Sequence, residues 1–384
     1  MASSVNRPAL HVCNATGQNL ASLIPALQLG ATDVVILETG AMRESASSLK
    51  RALQARGVRV RRIPIDDATA ESIGRSADSV AIELSERQRR LVLNVTGSHP
   101  FLALALVEKL TLVDELHVLH TEICEDRLNW CRPEPLTEPM ADVLRLEDVI
   151  LSQGFRLARS GDRDVLSMRR AGEREALTRR LGDQADRLAG LFGALNHLAG
   201  EALADEANGS FRPQQNLQYP PKDGRVLRDA ETIGLLKWDG ATEVVFASDH
   251  AAHYFNGGWL EEYVTLKLRG LEPKDWACHI QIDNVSTGEP NRFDALAVHR
   301  NRVLVIECTT SSFGRSSAKD ADDLLKLTEL ARTVGGITAS SLLLSAQPLA
   351  GEVRRRATTN GVSLLAAAEV RDLVGFLRNW MRAS

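Results

Sequence analysis

Aromatic residues make up only 4% of this 384-residue sequence, so any core it builds must rest on Leu, Val, Ile and Ala. The five cysteines (Cys13, Cys124, Cys131, Cys278 and Cys308) are odd in number, widely spaced and without a Cys-x-x-Cys pair. That pattern argues against a structural zinc site and against a disulfide framework. A formal charge of −4 gives no chain-wide nucleic-acid signature, so such contact would need local patches. The start of the sequence lacks a basic-then-apolar signal segment, and no apolar run approaches about 20 residues. A cytoplasmic protein without membrane contact is expected. Gly-x-Gly-x-x-Gly is absent, which sets aside that form of dinucleotide site. No internal repeat or low-complexity tract stands out.

The length suggests two domains and a smaller third element. Over the first ~120 residues, short apolar runs alternate with amphipathic stretches, the pattern of a parallel sheet with helices on both faces. Strands are expected at Ala9–Cys13, Asp33–Glu38, Val58–Ile63, Arg90–Val95 and Glu115–Leu119. Helices are expected at Gln18–Leu29, Arg43–Arg56, Ala68–Glu86 and Pro100–Leu110. In such sheets ligands collect at the carboxyl ends of the strands. Two of those ends carry small polar loops that lead into helices, Asn14-Ala-Thr16-Gly17-Gln18-Asn19 and Asn94-Val-Thr96-Gly97-Ser98-His99. Their free N–H groups could hold phosphate or ribose oxygens. A plain helix cap would explain either loop alone; two loops in equivalent places leave a helix cap and a binding site equally open.

Near residue 130 the character changes. Pro133, Pro135 and Pro139 mark a linker. Residues 141–205 are charged and helical, and a small helical or winged-helix insert is expected there. Arg156, Arg159, Arg163, Arg169, Arg170, Arg174, Arg179 and Arg180 make it locally basic, either as a solvated helix face or as a nucleic-acid surface. Residues 206–224 read as a loop. The divisions expected are therefore 1–140, 141–224 and 225–384.

The last part begins with a helix from Asp249, as its cap, to about Leu268. Strand-like runs follow at Ala277–Asn284, Phe293–His299 and Val303–Cys308. Then come a helix at Ala318–Val334, a strand at Leu342–Leu344, a helix at Glu352–Thr359, a strand at Val362–Leu365 and a terminal helix. This α-β-β-β-α-β order fits a restriction-endonuclease-like core. Asp294 opens one strand and Glu307 closes the next, and a hairpin would bring their carboxylates together. Hard cations such as Mg2+ or Mn2+ take oxygen ligands, so Asp294, Glu307 and the carbonyl of Cys308 form the candidate metal set. Glu261, in Gly257-Gly-Trp-Leu-Glu261, offers a third carboxylate from a helix. Such an ion would assist phosphodiester hydrolysis. The usual pattern ends Glu-x-Lys, whereas Thr309 stands at the lysine position. Lys326 is the best candidate for a replacement cation, with Lys319 and Arg315 behind it. His250 and His253 are expected on a helix surface, and Glu262 is expected as a surface charge.

Gly257-Gly-Trp-Leu-Glu261, Asn291-x-x-Asp294, Val305-Ile-Glu-Cys-Thr309 and Leu325-Lys-Leu327 followed by Gly335-Gly336 resemble the nuclease domain of a CRISPR ancillary effector family. That family joins an N-terminal CARF domain to a C-terminal PD-(D/E)xK nuclease domain. The resemblance implies an α/β chain: a Rossmann-like CARF domain and a restriction-endonuclease-like domain joined by a helical or winged-helix segment. It implies a homodimer that binds cyclic oligoadenylate, most often the tetra-adenylate, and then cleaves DNA, RNA or both with Mn2+ or Mg2+. By position, Thr16, Gly17, Asn19, Thr96, Gly97 and Ser98 would meet the activator; Glu261, Asp294, Glu307 and Lys326 would serve cleavage. Two departures stand out: Thr309 for lysine, and Thr96-Gly-Ser-His-Pro100 where the family commonly continues Thr-Gly-Gly-Thr-Lys. They leave open a second reading, a catalytically impaired nucleotide sensor that binds nucleic acid or a protein without cutting. A third is a restriction or repair nuclease whose N-terminal domain serves only dimerisation.

Overall fold

The computed structural model describes residues 9–85, 90–112, 115–160, 165–204, 210–310 and 317–383, and within these the side chains of all but 165–168 and 317–323. Arg163 and Arg315, and the side chain of Lys319, lie outside the described residues.

The first part alternates β1 (Leu10–Asn14), α1 (Leu20–Gln28), β2 (Asp33–Glu38), α2 (Arg43–Ala55), β3 (Arg59–Pro64), α3 (Ala70–Ser85), β4 (Leu91–Asn94), α4 (Pro100–Thr111) and β5 (Leu116–Glu122). Strands β1, β2 and β4 are almost wholly buried, as central strands covered on both faces must be. The outer strand β3 carries Arg59, Arg61 and Arg62, charges that blunt a free edge. The prolines expected to mark a linker instead lie in and around a hairpin, β6 (Arg127–Arg132) and β7 (Leu136–Pro139), which extends the sheet antiparallel. Pro133 and Pro135 occupy its turn, where no ladder N–H is needed. The strand order is β3-β2-β1-β4-β5-β6-β7. It reverses direction between β1 and β4, the place where open α/β sheets form a crevice.

The middle segment is only partly helical. α5 (Leu146–Ser152) leads into β8 (Phe155–Arg159), which pairs with the second sheet. Next come α6 (Val165–Asp183), α7 (Ala185–Leu203), β9 (Gln214–Asn216), α8 (Arg225–Thr232), β10 (Leu236–Trp238) and β11 (Glu243–Phe246). The last two strands and β9 form a small sheet, so the expected loop at 206–224 contains a strand.

The final part runs α9 (Asp249–His253), a π turn at 254–258, α10 (Trp259–Leu271), β12 (Asp275–Asn284), β13 (Pro290–His299), β14 (Arg302–Thr309), α11 (Ser317–Gly335), β15 (Ala339–Ser345), α12 (Gly351–Thr359), β16 (Val362–Ala366) and α13 (Leu373–Arg382). Ser248, not Asp249, caps the first helix: its side chain accepts the Ala251 N–H. The six-stranded sheet has order β16-β15-β14-β13-β12-β8, antiparallel from β8 to β14 and parallel beyond.

One core is common to both large sheets. It joins Leu23, Ile24, Leu49 and Leu53 of α1 and α2 to Val149 and Ile150 of α5, and on to Val303, Val305, Leu327 and Ala331. Asn301 reinforces this junction from the β13–β14 turn. Its side chain accepts from the N–H groups of Val143 and Leu144 and donates to the carbonyl of Ala141. A second core, under α6, α7, α8, α10 and α13, covers the opposite face of the six-stranded sheet. Among the described residues no helix is long and apolar enough to cross a membrane.

Candidate active site

Arg300 and Asn301 both adopt left-handed conformations (φ 50° and 56°), the requirement of a two-residue hairpin turn. That turn sets the register of β13 on β14, with Ala295 opposite Ile306. Beyond this pair Asp294, which sits in the middle of β13 rather than opening the strand as expected, accepts the Cys308 N–H through Oδ2 at 2.7 Å, so its carboxylate is fixed to the backbone near the end of β14. Glu307 lies next to it, and its Oε1 is buried without a hydrogen-bond partner. A buried acceptor left unpaired is costly and marks a place where a ligand would be welcome.

Glu261 enters from α10. The π turn before it includes Gly257 at φ 122°, where only glycine is unstrained and where an added Cβ would lie 3.3 Å from Thr310 Oγ1. This break separates α9 from α10 and puts Glu261 in the first turn of the latter. Its Oε2 lies 2.6 Å from Nδ1 of His279 on β12. His279 was not singled out in the sequence, although its backbone is left-handed (φ 51°) inside a strand. A lone histidine in a strand-like run carries no pattern signal, and the ladder irregularity that exposes it is invisible to periodicity.

The electrostatics follow from burial and crowding of like charge. Loss of solvent, then the charge of Glu261, pushes Asp294 up to about 6. Loss of solvent, then the charge of Asp294, pushes Glu307 up to about 9. Near neutral pH the pair therefore shares a proton. The hydrogen bond to Glu261 raises His279 despite its partial burial, and the charges of Glu261 and Asp294 add to this. Oxygen donors, an unpaired buried acceptor and crowded carboxylates are the chemistry of a hard-cation site. Among the described residues no group of three or more His, Cys, Asp and Glu side chains is already arranged to hold a metal ion. Asp294 and Glu307 would form the side-chain part of such a site, with backbone or solvent oxygens completing it.

The structure does not bring every expected residue to this place. Lys326 is exposed on α11, between Leu324 and Leu327. Those leucines pack in the shared core, whereas α10 packs in the core on the other face of β14. Among the described residues no ion pair joins Lys326 to the carboxylates. Glu262 is a correction: rather than a surface charge it is 6% exposed, bonded to Arg174 at 2.5 Å and to Thr178 Oγ1 at 2.6 Å. His250 and His253 are exposed, as expected. Much of the arginine cluster is paired: Arg156 with Asp283, Arg169 with Glu173, Arg174 with Glu262, Arg179 with Glu175 and Arg180 with Asp229.

The two polar loops meet at the β1–β4 crevice. Asn14 Nδ2 donates to Ser98 Oγ, and a Cβ on Gly97 would lie 2.7 Å from Thr16 Cγ2. Gly97 has φ 70°, so glycine suits both the turn and the close approach. Gly17 and Gly97 are exposed, and Thr16 and Ser98 half-exposed. The other two expected ligand residues are engaged elsewhere. Asn19 is buried and donates to the carbonyls of Ser45 and Ser152, each at 2.9 Å. Thr96 Oγ1 donates to Asn94 Oδ1 and accepts the Thr121 N–H. The polar groups of both are spent on the fold, through tertiary contacts that sequence spacing does not record.

Comparisons with known proteins can be set beside this geometry. Residues 248–384 match the family described as Card1-like, endonuclease domain. No curated protein matches the chain. Many solved structures resemble it, among them the following three. Protein VC1899 from Vibrio cholerae aligns at a TM-score of 0.84 and 20% identity, over 97% of this chain and 98% of the other. Can2 from Sulfobacillus thermosulfidooxidans, in complex with cyclic tetra-adenylate, aligns at a TM-score of 0.77 and 20% identity, over 99% of each chain. A type III CRISPR defence DNA nuclease activated by cyclic oligoadenylate aligns at a TM-score of 0.53 and 17% identity, over 89% of this chain and 46% of the other. These identities speak to the fold, which is the mixed α/β, CARF-like fold of Can2. The family match bears out the resemblance carried by the C-terminal motifs: residues 248–384 are similar to the Card1-like endonuclease domain, in line with a CRISPR ancillary nuclease.

Proposed function

We propose that this protein is a metal-dependent nuclease gated by cyclic oligoadenylate, with Asp294 and Glu307 as metal ligands and Glu261 beside them. The observation that carries the reading is the Asp294–Glu307 pair itself: half-buried, mutually repelling, and holding a buried, unpaired acceptor at Glu307 Oε1. When bound, Mn2+ or Mg2+ would supply charge neutralisation for a scissile phosphodiester and activation of a nearby water. The chain's own work is positional. The Cys308 N–H fixes Asp294, and the β14–β15 ladder fixes the backbone of Glu307 opposite Leu343. The carbonyl of Cys308 completes the ligand set.

The activator site is the β1–β4 crevice, with exposed Gly17 and Gly97 and half-exposed Thr16 and Ser98 facing phosphate or ribose oxygens. Cyclic tetra-adenylate is the proposed activator, by analogy with the ligand of Can2. A homodimer is supported by apolar side chains left exposed on two neighbouring helices, Phe101 and Leu104 on α4 and Ile82 on α3. Residues 185–246 supply a helix, a strand, a second helix and a hairpin in winged-helix fashion. We therefore set the start of the nuclease domain near residue 248 rather than 225, with the CARF-like domain at 1–140. The class of nuclease fold proposed is restriction-endonuclease-like, and the place of action is the cytoplasm.

Thr309 at the lysine position favours a second reading, a sensor that binds without cutting. One assay separates the two. The protein is incubated with Mn2+ and labelled single- and double-stranded DNA and RNA, with and without cyclic tetra-adenylate. Cleavage that requires the activator and disappears in Glu307→Ala and Asp294→Ala supports the nuclease. Tight nucleotide binding with no cleavage of any substrate supports the sensor.

A further inference from the structure

We propose that His279 is a positioning residue of the active site, holding the Glu261 carboxylate beside the Asp294–Glu307 pair; this rests on the metal-site reading above. His279 lies in the middle of β12, and the β12–β13 ladder is continuous on both sides of it. Cys278 pairs with Ala295 and Ile280 pairs with Phe293, which leaves His279 facing Asp294 at the interruption. Its φ of 51° breaks the alternation of the strand. Ala277 and Ile280 both enter the core shared with α5, whereas Cys278 enters the core under α10. A fully extended β12 could not put Ala277 and Ile280 on one side, because successive side chains point to opposite faces.

Left-handed backbone in a non-glycine residue is uncommon, and histidine is one of the types enriched there. Strain of this kind persists where the surroundings over-determine it, and it clusters at functional sites. Here the conformation delivers one contact, His279 Nδ1 to Glu261 Oε2 at 2.6 Å. Among the described residues His279 is the partner of that carboxylate, and it is the basic side chain placed against the acidic cluster. A neutral imidazole protonated on Nδ1 makes the same hydrogen bond, so the role does not depend on charge. Thr309 supplies no cation at the motif position, so the support seen for the acidic side chains comes from β12 rather than from β14. Partners of this type orient the groups around a metal, and their loss typically reduces metal affinity or activity by about 10–100-fold.

Three variants of the full chain separate backbone from hydrogen bond. His279→Gly accommodates the left-handed conformation and loses the donor. His279→Asn tolerates the conformation and retains an N–H near the Nδ1 position. His279→Ala loses both. The readouts are Mn2+ affinity by calorimetry without nucleic acid, thermal unfolding without metal, and cleavage. We expect His279→Gly to unfold no lower than the unsubstituted protein, yet to bind Mn2+ about 10–100-fold more weakly. His279→Asn should recover most of that affinity, and cleavage should follow the same order. Mn2+ affinity in His279→Gly equal to that of the unsubstituted protein, or no recovery in His279→Asn, would overturn the inference. Glu307→Gln serves as the reference. If the unsubstituted protein takes up no Mn2+, or Glu307→Gln binds it equally well, the metal-site reading itself falls and the inference falls with it. If Glu307→Gln loses Mn2+ and only the His279 variants behave normally, the inference alone is wrong.

Discussion

Gln18, in the polar loop after β1, packs against Gly336 just after α11: a Cβ on Gly336 would lie 2.8 Å from Gln18 Oε1. Gln18 Oε1 is buried without a hydrogen-bond partner, while its N–H is held by Thr16 Oγ1 at 3.0 Å. One residue thus touches both the proposed activator crevice and the turn just after the helix that follows the Glu307 strand. Contact of this kind is how a change in the first sheet could bias the second, since coupling requires a physical connection between the sites.

Gly336→Ala tests that connection. Gly336 has φ 58°, and an L side chain there costs about 1–2 kcal/mol. Gln18 must also move, which its flexible side chain permits. The melting temperature should fall modestly. The cyclic tetra-adenylate concentration for half-maximal cleavage should shift by about 5-fold or more, the lower end of ordinary coupling energies. A lower melting temperature with an unmoved activation curve would make the contact purely structural.

The carboxylate pair predicts a pH dependence. Asp294 and Glu307 are pushed up, to about 6 and about 9, chiefly by burial. In the unfolded chain both titrate near about 4. The folded state therefore binds more protons, and the stability from these groups is full below about pH 4 and is lost as pH rises through their folded values. Glu307→Gln removes the carboxyl that titrates highest. Metal-free Glu307→Gln should be more stable than the unsubstituted protein at pH 8–9, with the gap closing toward pH 4, as read by thermal melts across pH. Mn2+ should bind more tightly as pH rises over the same range, because it displaces the shared proton. A constant difference across pH would show that the pair is not protonated.

Much of the architecture could be read from pattern alone. Strand β2 and the starts of α2 and α4 fall where the apolar periodicity put them, because buried aliphatic runs and helical stripes encode local burial directly. The β6–β7 hairpin was hidden because its prolines, tolerated in a turn at the sheet's outer edge, look the same as linker prolines. The pairing of β8 with β12 was hidden for another reason: a short Arg-bearing strand has little apolar signal, and its partner is distant in sequence. Near the candidate site, the pairing of the Asp294 strand with the Glu307 strand was legible from the apolar runs, although β13 begins at Pro290 and Asp294 lies within it. The neighbouring His279, the burial of Glu262 and the inward turn of Asn19 depend on tertiary contacts that no spacing records.

Asn19 gives the third prediction. It ties Ser45 at the start of α2 to Ser152 at the end of α5, through its amide hydrogens, and accepts from Ser45 Oγ at 3.0 Å. Asn19→Ala would remove both amide bonds and take from the Ser152 carbonyl, at the end of α5, its buried side-chain donor. The cost should be about 1–3 kcal/mol. Nucleotide binding to the folded variant should be little changed, since the side chain points into the protein. A variant of full stability that fails to bind cyclic tetra-adenylate would instead make Asn19 a ligand residue.

The last prediction concerns the missing lysine. Thr309 ends β14 two residues after Glu307, opposite Ser345 of β15. A lysine there would put a cation beside the like charges that raise Asp294 and Glu307, and would stabilise negative charge developing on a scissile phosphate. Charge stabilisation of that kind is worth about 10²–10³ in rate where a single donor has been removed. Thr309→Lys should therefore accelerate activator-dependent cleavage, by up to about that factor, and should lower the pH at which cleavage reaches half its maximum, because the added positive charge favours ionised carboxylates. Lys326→Ala, by contrast, should leave the rate unchanged, as an exposed residue on α11 away from the pair. A strong loss in Lys326→Ala, with no gain in Thr309→Lys, would mean that Lys326 reaches the site during turnover and already supplies the cation that the motif lacks.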